Sequence, residues 1–330
     1  MKIRKYIVFM LIFFAGIYLN SQIKNNGDIS ETRGPGTYEI LHGADNPIRI
    51  PFKMHHGKPL MELEVNGQKA TLMIDNGILW DQVWLFGSQL ASRLQLKPVE
   101  ESFIGGAGEG DPTQAYTSHH LTLKFKDVVF YDQPVLVSPA EAGFATMFPG
   151  ADGQLSNTFF RHFIVEFDFV NNEILLYDPV QFQYDQNGSI LDMQASESGT
   201  YSIPFTFTML DGNTYTDRVD IDFGGIYPFK IALNNKHHIP LPPNVEERFS
   251  YGAQGMVPEY SGEIQSMTIG KYKFDHPTVM FGDEKTSRIH PDNLGVIGLP
   301  LFMKFNVIFD YFNDRLYLEP NKNFEPSFEN

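Results

Sequence analysis

Short apolar or alternating segments separated by turn residues recur along this chain from about residue 47. Met61-Glu62-Leu63-Glu64-Val65 has the spacing of a strand with one buried face. Asn66-Gly67 follows, a pair suited to the left-handed backbone of a tight hairpin turn. The apolar run 70–74 is the returning strand, and it delivers Asp75. The same reasoning predicts strands over residues 121–125, 128–130, 135–137, 163–167 and 174–177. Residues 83–96 carry Trp84, Leu85, Leu90, Leu94 and Leu96 near helical spacing and predict a short helix. Residues 184–200 are mostly polar, with Asn187-Gly188 and Ser198-Gly199, and read as a link between two units.

An internal repeat decides the architecture. Residues 152–178 align without a gap on residues 294–320, an offset of 142. Gly153/Gly295, Phe160/Phe302, Phe163/Phe305, Val165/Val307, Phe167/Phe309, Asp168/Asp310, Asn171/Asn313 and Leu176/Leu318 are identical pairs. Upstream, the Gly-rich segment ending at Gly108 resembles the one ending at Gly255, and each ends 33 residues after an aspartate, Asp75 or Asp222. Each aspartate also follows a turn pair, Asn66-Gly67 or Asp211-Gly212, and an apolar strand. The chain therefore reads as two matched, mainly β lobes, over residues 46–183 and 201–320. Residues 22–45 form an N-terminal extension or edge strand, 184–200 the link, and 321–330 a C-terminal tail.

Composition and charge narrow the function. Of 330 residues, 29 are Phe and 15 Tyr, types that favour strands. The net charge of -15 disfavours a nucleic-acid partner, whose phosphates it would repel. The absence of cysteine excludes disulfides, a thiolate nucleophile and Cys-ligated zinc. The adjacent pairs His55-His56, His119-His120 and His237-His238 sit on strand or loop segments, where neighbours point to opposite faces and poorly serve one metal ion. No cofactor or metal is expected. Residues 1–21 read as a signal peptide: Lys2, Arg4 and Lys5, then an apolar stretch, then Leu19-Asn20-Ser21. A periplasmic or secreted protein follows, with no stable membrane insertion once the signal is removed.

Each half is thus a strand ending in Asp-x-Gly, a Gly-rich hairpin, and a Gly-led apolar strand with a closing turn. A two-fold between the halves would bring Asp75 and Asp222 together, and two close carboxylates share one proton, acting as acid and base at once. On Ile74-Asp75-Asn76-Gly77, Ile221-Asp222-Phe223-Gly224, residues 103–108 and Gly295-Val296-Ile297-Gly298, the chain resembles bacterial aspartic peptidases with two retropepsin-like or pepsin-like halves. The resemblance spans roughly residues 47–320. It implies the two-lobed acid-protease fold, peptide or protein substrates, and Asp75 and Asp222 as the catalytic pair. It makes Asn76, Gly77, Phe223 and Gly224 the active-site loops, and Gly105, Gly106, Ala107 and Gly108 part of a flap over the substrate. The family's Thr or Ser after each Asp, whose hydroxyls tie the loops together, is here Asn76 and Phe223. Phe223 is expected to turn from the dyad into the core of the second lobe, leaving Asn76 to make the polar contact. In the first half Gln154-Leu155-Ser156 also replaces the apolar-apolar-Gly element. Two readings follow: an active peptidase, or a peptide- or ligand-binding module that keeps the cleft without the chemistry. A glycosidase using two carboxylates needs them about 5–9 Å apart, farther than the symmetry implies. Trp80 and Trp84 are candidates for lining a substrate pocket and equally for the core or the lobe interface.

Overall fold

The computed structural model describes residues 37–326 apart from 42, 44, 78–82, 88, 186, 197–199 and 234. The expected signal peptide and Trp80 lie outside the described residues, as do the side chains of His119 and His120.

The repeat forms two hairpins of one register. Ile164–Asp168 pairs antiparallel with Glu173–Tyr177, and Phe305–Asp310 with Arg315–Pro320. Val165 faces Leu176 in the first and Val307 faces Leu318 in the second, so the sequence offset also holds for backbone pairing. Both turns close on an aspartate. Asp168 accepts from the N–H groups of Val170 (2.9 Å) and Asn171 (2.9 Å) and from the Asn171 amide (2.6 Å). Asp310 accepts from Phe312 (3.1 Å), Asn313 (3.0 Å) and the Asn313 amide (2.7 Å). Aspartate stabilises such turns because its short side chain reaches its own backbone two or three residues on.

The hairpins then pair with each other. Val165 lies opposite Phe309, Glu166 opposite Ile308, and Phe167 opposite Val307. This set exchanges with itself when the halves are swapped, so a local two-fold passes between Glu166 and Ile308. Ile48–Pro51 extends the sheet on one side and Ser189–Asp192 on the other, giving six strands shared by both lobes. The polar segment expected as a link is therefore partly sheet. Ser189 and Leu191 are buried while Ile190 and Asp192 are exposed, a strand alternation that the polar composition masks. Gln194–Ala195 pairs with the start of the second lobe.

Each lobe adds its own sheet. In the first, Val128–Val137, Val83–Leu85, Gly153–Leu155, Gln68–Ile74, Lys58–Val65 and Thr113–Phe125 follow one another and close back on Val128–Val137, forming a barrel. Tyr38–Ile40 joins it as an edge strand. In the second, a ten-stranded sheet includes Thr214–Asp222, Gly295–Gly298 and Phe229–Leu233 as neighbours. The helix expected over 83–96 shrinks to Gln89–Arg93. Val83–Leu85 is instead a strand between Gly153–Leu155 and Val128–Val137, where both edges of its backbone find partners. The start of the expected tail is packed, since Phe324 contacts the rings of Tyr272, Phe274 and Phe305.

Asp168 and Asp310 do equivalent work at equivalent turns and are both buried. Asp168→Ala and Asp310→Ala should each lower stability by about 2 kcal/mol or more, by similar amounts, because each strands two backbone N–H groups. Urea unfolding followed by near-ultraviolet circular dichroism measures both.

Candidate active site

Each lobe ends one strand on an aspartate. Gln68–Ile74 runs parallel to Gly153–Leu155, and the Asp75 N–H donates to the Leu155 carbonyl at 3.1 Å. Thr214–Asp222 runs parallel to Gly295–Gly298, with Asp222 opposite Gly298. Each chain then folds back over its own carboxylate. The Gly77 N–H donates to Asp75 Oδ1 at 3.0 Å, and the Gly224 N–H to Asp222 Oδ1 at 2.7 Å.

The two turns meet at the two-fold. A Cβ on Gly77 would lie 2.5 Å from Asp222 Oδ1, and one on Gly224 would lie 2.4 Å from Asp75 Oδ2. Both positions are glycine because each makes room for the opposite carboxylate. The Asp75 and Asp222 carboxyls come within hydrogen-bonding reach of each other, closer than the glycosidase spacing.

The tie between the loops is half polar and half aromatic. Buried Asn76 accepts the Phe223 N–H on Oδ1 at 3.0 Å. The Phe223 ring turns away from the carboxyls and is fully buried. It packs on Phe167 (4.8 Å between centroids), Phe302 (5.3 Å), Phe309 (5.4 Å) and Phe169 (6.1 Å). Phe302 and Phe309 belong to the second lobe, where the ring was expected to pack, and Phe167 and Phe169 to the first, so the ring reaches both lobes. The shared sheet lies beneath both loops, and the ring anchors to it.

The symmetry ends at the neighbours. Asp75 Oδ2 faces the Gln154 amide, which donates at 3.4 Å, whereas Asp222 Oδ2 accepts the Tyr227 hydroxyl at 3.2 Å. Burial, then Asp222, holds the Tyr227 hydroxyl well above its ordinary pKa, so it stays a donor. Burial raises the Asp75 pKa to about 7, reinforced by the Asp222 charge and opposed by Lys58 and the Gly77 N–H. Asp75 therefore keeps a proton up to near neutrality, as a one-proton pair requires. Tyr227 escaped the sequence reading, because nothing in its surroundings sets it apart from the other tyrosines until the fold places it.

Two hairpins roof the pair. Gly105, Gly106, Ala107 and Gly108 lie at the tip joining Glu100–Ile104 to Thr113–Phe125. Gln254 lies at the matching tip between Glu246–Gly252 and Gly255–Glu263. The tips meet: the Gly110 N–H donates to the Gln254 carbonyl (2.7 Å) and the Gln254 N–H to the Ala107 carbonyl (2.9 Å). The Gly106 N–H donates to Gln254 Oε1 (3.0 Å), and the Gln254 amide donates to the Gly110 carbonyl. Arg288 donates to the Gly106 carbonyl (2.9 Å) and to Gln254 Oε1 (2.7 Å). A Cβ on Gly108 would lie 2.4 Å from the Gln254 carbonyl carbon, so the glycine content of the first tip answers to the second. Beneath the roof lies a cavity of about 1700 Å³ lined by Asp75, Asp222, Tyr227, Trp84 and Lys230 among others. Gln254 fell within the matched Gly-rich segments, but its role depends on the tips touching, and Arg288 carried no signal at all.

No protein-family model matches the chain, and no curated protein sequence does. Among solved structures, an aspartic proteinase from Irpex lacteus matches with a TM-score of 0.53, covering 84% of this chain and 98% of its own, at 13% sequence identity. At that identity the likeness is one of architecture. The protein has the mainly β, two-lobed fold of the pepsin-like aspartic peptidases.

Proposed function

We propose that the protein is an aspartic endopeptidase whose Asp75 and Asp222 activate water for peptide-bond hydrolysis. The observation that carries this reading is the facing carboxyl pair, with each aspartate beside the other loop's glycine and Asp75 raised to about 7. Asp222, held by Tyr227 and the Gly224 N–H, is the base, and Asp75 is the acid. A water between them attacks the peptide carbonyl carbon, its proton passes to Asp222, and the Asp75 proton passes to the carbonyl oxygen. The resulting gem-diol collapses as Asp222 protonates the departing nitrogen and Asp75 regains a proton from one hydroxyl, so the pair ends as it began. The basic-then-apolar order of residues 1–21 supports action outside the cytoplasm.

Asp75→Asn and Asp222→Asn should each reduce kcat/KM on an unstructured protein such as denatured casein by about a thousandfold or more, because either change removes half of the acid–base pair. Retained activity in either variant would exclude the mechanism. Wild-type kcat/KM should fall as pH rises through about 7, where Asp75 loses its proton. The folded-state pKa of Asp75 is raised above the unfolded value, so folding takes up a proton between them. Its contribution to stability is therefore greatest below the unfolded value of 3.8 and declines as pH climbs towards 7. A pH–rate profile and parallel urea titrations report the two effects.

Asn76→Ala removes the acceptor of a buried N–H at the base of the loop. It should lower kcat by about tenfold to a hundredfold through misplacement of Asp222, with KM less affected. The contacts between the two hairpin tips centre on Gln254. Gln254→Ala should speed amide hydrogen exchange at Gly106 and Gly110 while leaving exchange in the shared sheet unchanged, as measured by mass spectrometry of peptic fragments.

A further inference from the structure

Strand register builds the cleft face of the first lobe in rows. Leu60, Met73, Gln154 and Trp84 pair in succession across four strands, and all line the cavity. Paired residues share a face, and so do residues two apart along a strand. The next row is therefore His55, Lys58 and Asp75: His55 pairs with Lys58, and the register that joins Leu60 to Met73 brings Lys58 opposite Asp75. His55 and Lys58 line the cavity with Asp75. The matching row of the second lobe carries no cation. The register that joins Ser202 to Asp220 brings Thr200 opposite Asp222, and the hydroxyls of Thr200 and Ser196 bond to each other at 2.8 Å.

The other lysines nearby have their charges answered. Lys53, on the same hairpin as Lys58, pairs with Glu62 at 2.6 Å. Lys230 pairs with Val296 as Trp84 pairs with Gln154, and residues 154 and 296 are equivalent in the repeat, so Trp84 and Lys230 hold matching places. Trp84 stands against the rings of Phe144 (4.7 Å) and Phe86 (5.0 Å), whereas Lys230 forms a buried ion pair with Glu259. Among the described residues half-buried Lys58 has no ion-pair partner. Its charge acts on Asp75, a neutral acid while it holds the shared proton. The turn beside Lys58 adds two imidazoles. Strand neighbours diverge, but the left-handed backbone at His56 (φ 47°) and Gly57 (φ 74°) brings the rings of His55 and His56 together, 4.3 Å between centroids. A Cβ on Gly57 would lie 3.3 Å from Ile226, so this turn abuts the second active-site loop. The other carboxylates of the lining belong to the second lobe. Asp220 accepts from the His290 N–H (3.0 Å) and the Asn293 amide (2.7 Å), and Glu284 shares its rim with Lys285 and Arg288.

We propose that Lys58, with His55 and His56, forms a subsite for a carboxylate, the side chain of an aspartate or glutamate in a bound peptide, and that Lys58 determines this specificity. A half-buried ammonium without a counter-ion gains from a ligand that brings one, and its three donors reach a carboxylate by charge-assisted bonds that a neutral amide only weakly replaces. The place of that side chain near a scissile bond rests on the peptidase reading of Asp75 and Asp222; carboxylate selectivity itself rests on Lys58.

The test uses fluorogenic peptides with a Phe-Phe centre and Glu, Gln or Lys at each of the three positions on either side, against the full-length protein. At pH about 5.5 a peptide glutamate is ionised. At one position the Glu peptide should then exceed the Gln peptide in kcat/KM by at least about tenfold, the Lys peptide being poorest. In Lys58→Met and Lys58→Gln the Glu-to-Gln ratio should fall to about one, and Lys58→Arg should keep most of it. A ratio taken within one variant cancels any change at Asp75, because both peptides meet the same acid. In the wild type the ratio should also approach one at pH about 3, where the peptide glutamate is neutral. Thermal unfolding shows that each variant is folded. A wild-type ratio near one at every position, or a ratio that survives either the loss of the ammonium or pH 3, overturns the proposal. If the wild type cleaves none of the peptides, fluorescence anisotropy with the same set decides. Glutamate-selective binding lost in Lys58→Met upholds the subsite and sinks the peptidase reading; unselective or absent binding sinks the subsite.

Discussion

The antiparallel contact of residues 165–167 with 307–309 joins the lobes, and the geometry of the carboxyl pair descends from it. Strand pairing fixes separation and register by hydrogen bonds along the backbone, so a pairing that maps onto itself imposes a two-fold on whatever stands above it. Phe167 and Phe309 bring that constraint to the site, because Phe223 packs on both. Asn76 adds direction to this apolar anchoring with its bond to the Phe223 N–H. Aromatic packing supplies the bulk of the hold and one polar contact its orientation.

On this symmetric frame the chemistry is made unequal by single side chains. An amide faces Asp75 and a phenol faces Asp222. Two identical carboxyls have no reason to divide a proton in one sense; unlike neighbours give them one, and burial leaves the proton on Asp75 to near neutrality. The same principle separates the walls of the cleft, where Trp84 and Lys230 hold matching positions with opposite solvation needs. Joining the halves in one chain is what permits this, since each copy varies independently.

Much of this was legible in the sequence, because it lies in periodicity and repetition. The paired hairpins, both aspartates, their glycines and the Gly-rich tip follow from strand patterning and from features that recur in the same order in the two halves. Residues 83–85 misled because Trp84 and Leu85 fit a helical stripe, and the two flanking strands that capture them are distant in sequence. Residues 189–192 misled because polarity conceals a strand whose partner lies at the other end of the chain. Gln254 and Arg288 matter through contacts across long sequence separations, and Tyr227 through a turn that carries its hydroxyl back onto Asp222; no local pattern marks such residues. The placement of Phe223 was half legible. An aromatic ring had to leave the polar axis, but only the shared sheet explains why it reaches rings of both lobes.

Under the proposed function, the meeting of the two hairpin tips also bears on how a polypeptide would be received. The groups that bind the tips together are largely backbone N–H and carbonyl groups at residues 106–110 and 254. An extended peptide presents the same alternation of donors and acceptors along its own backbone. Such a guest and the roof would be rivals for one set of partners, and every hydrogen bond surrendered between the tips would be one that an arriving strand is equipped to replace. Opening would then be an exchange rather than a rupture, favouring chains already stripped of secondary structure over segments whose backbone groups are engaged elsewhere.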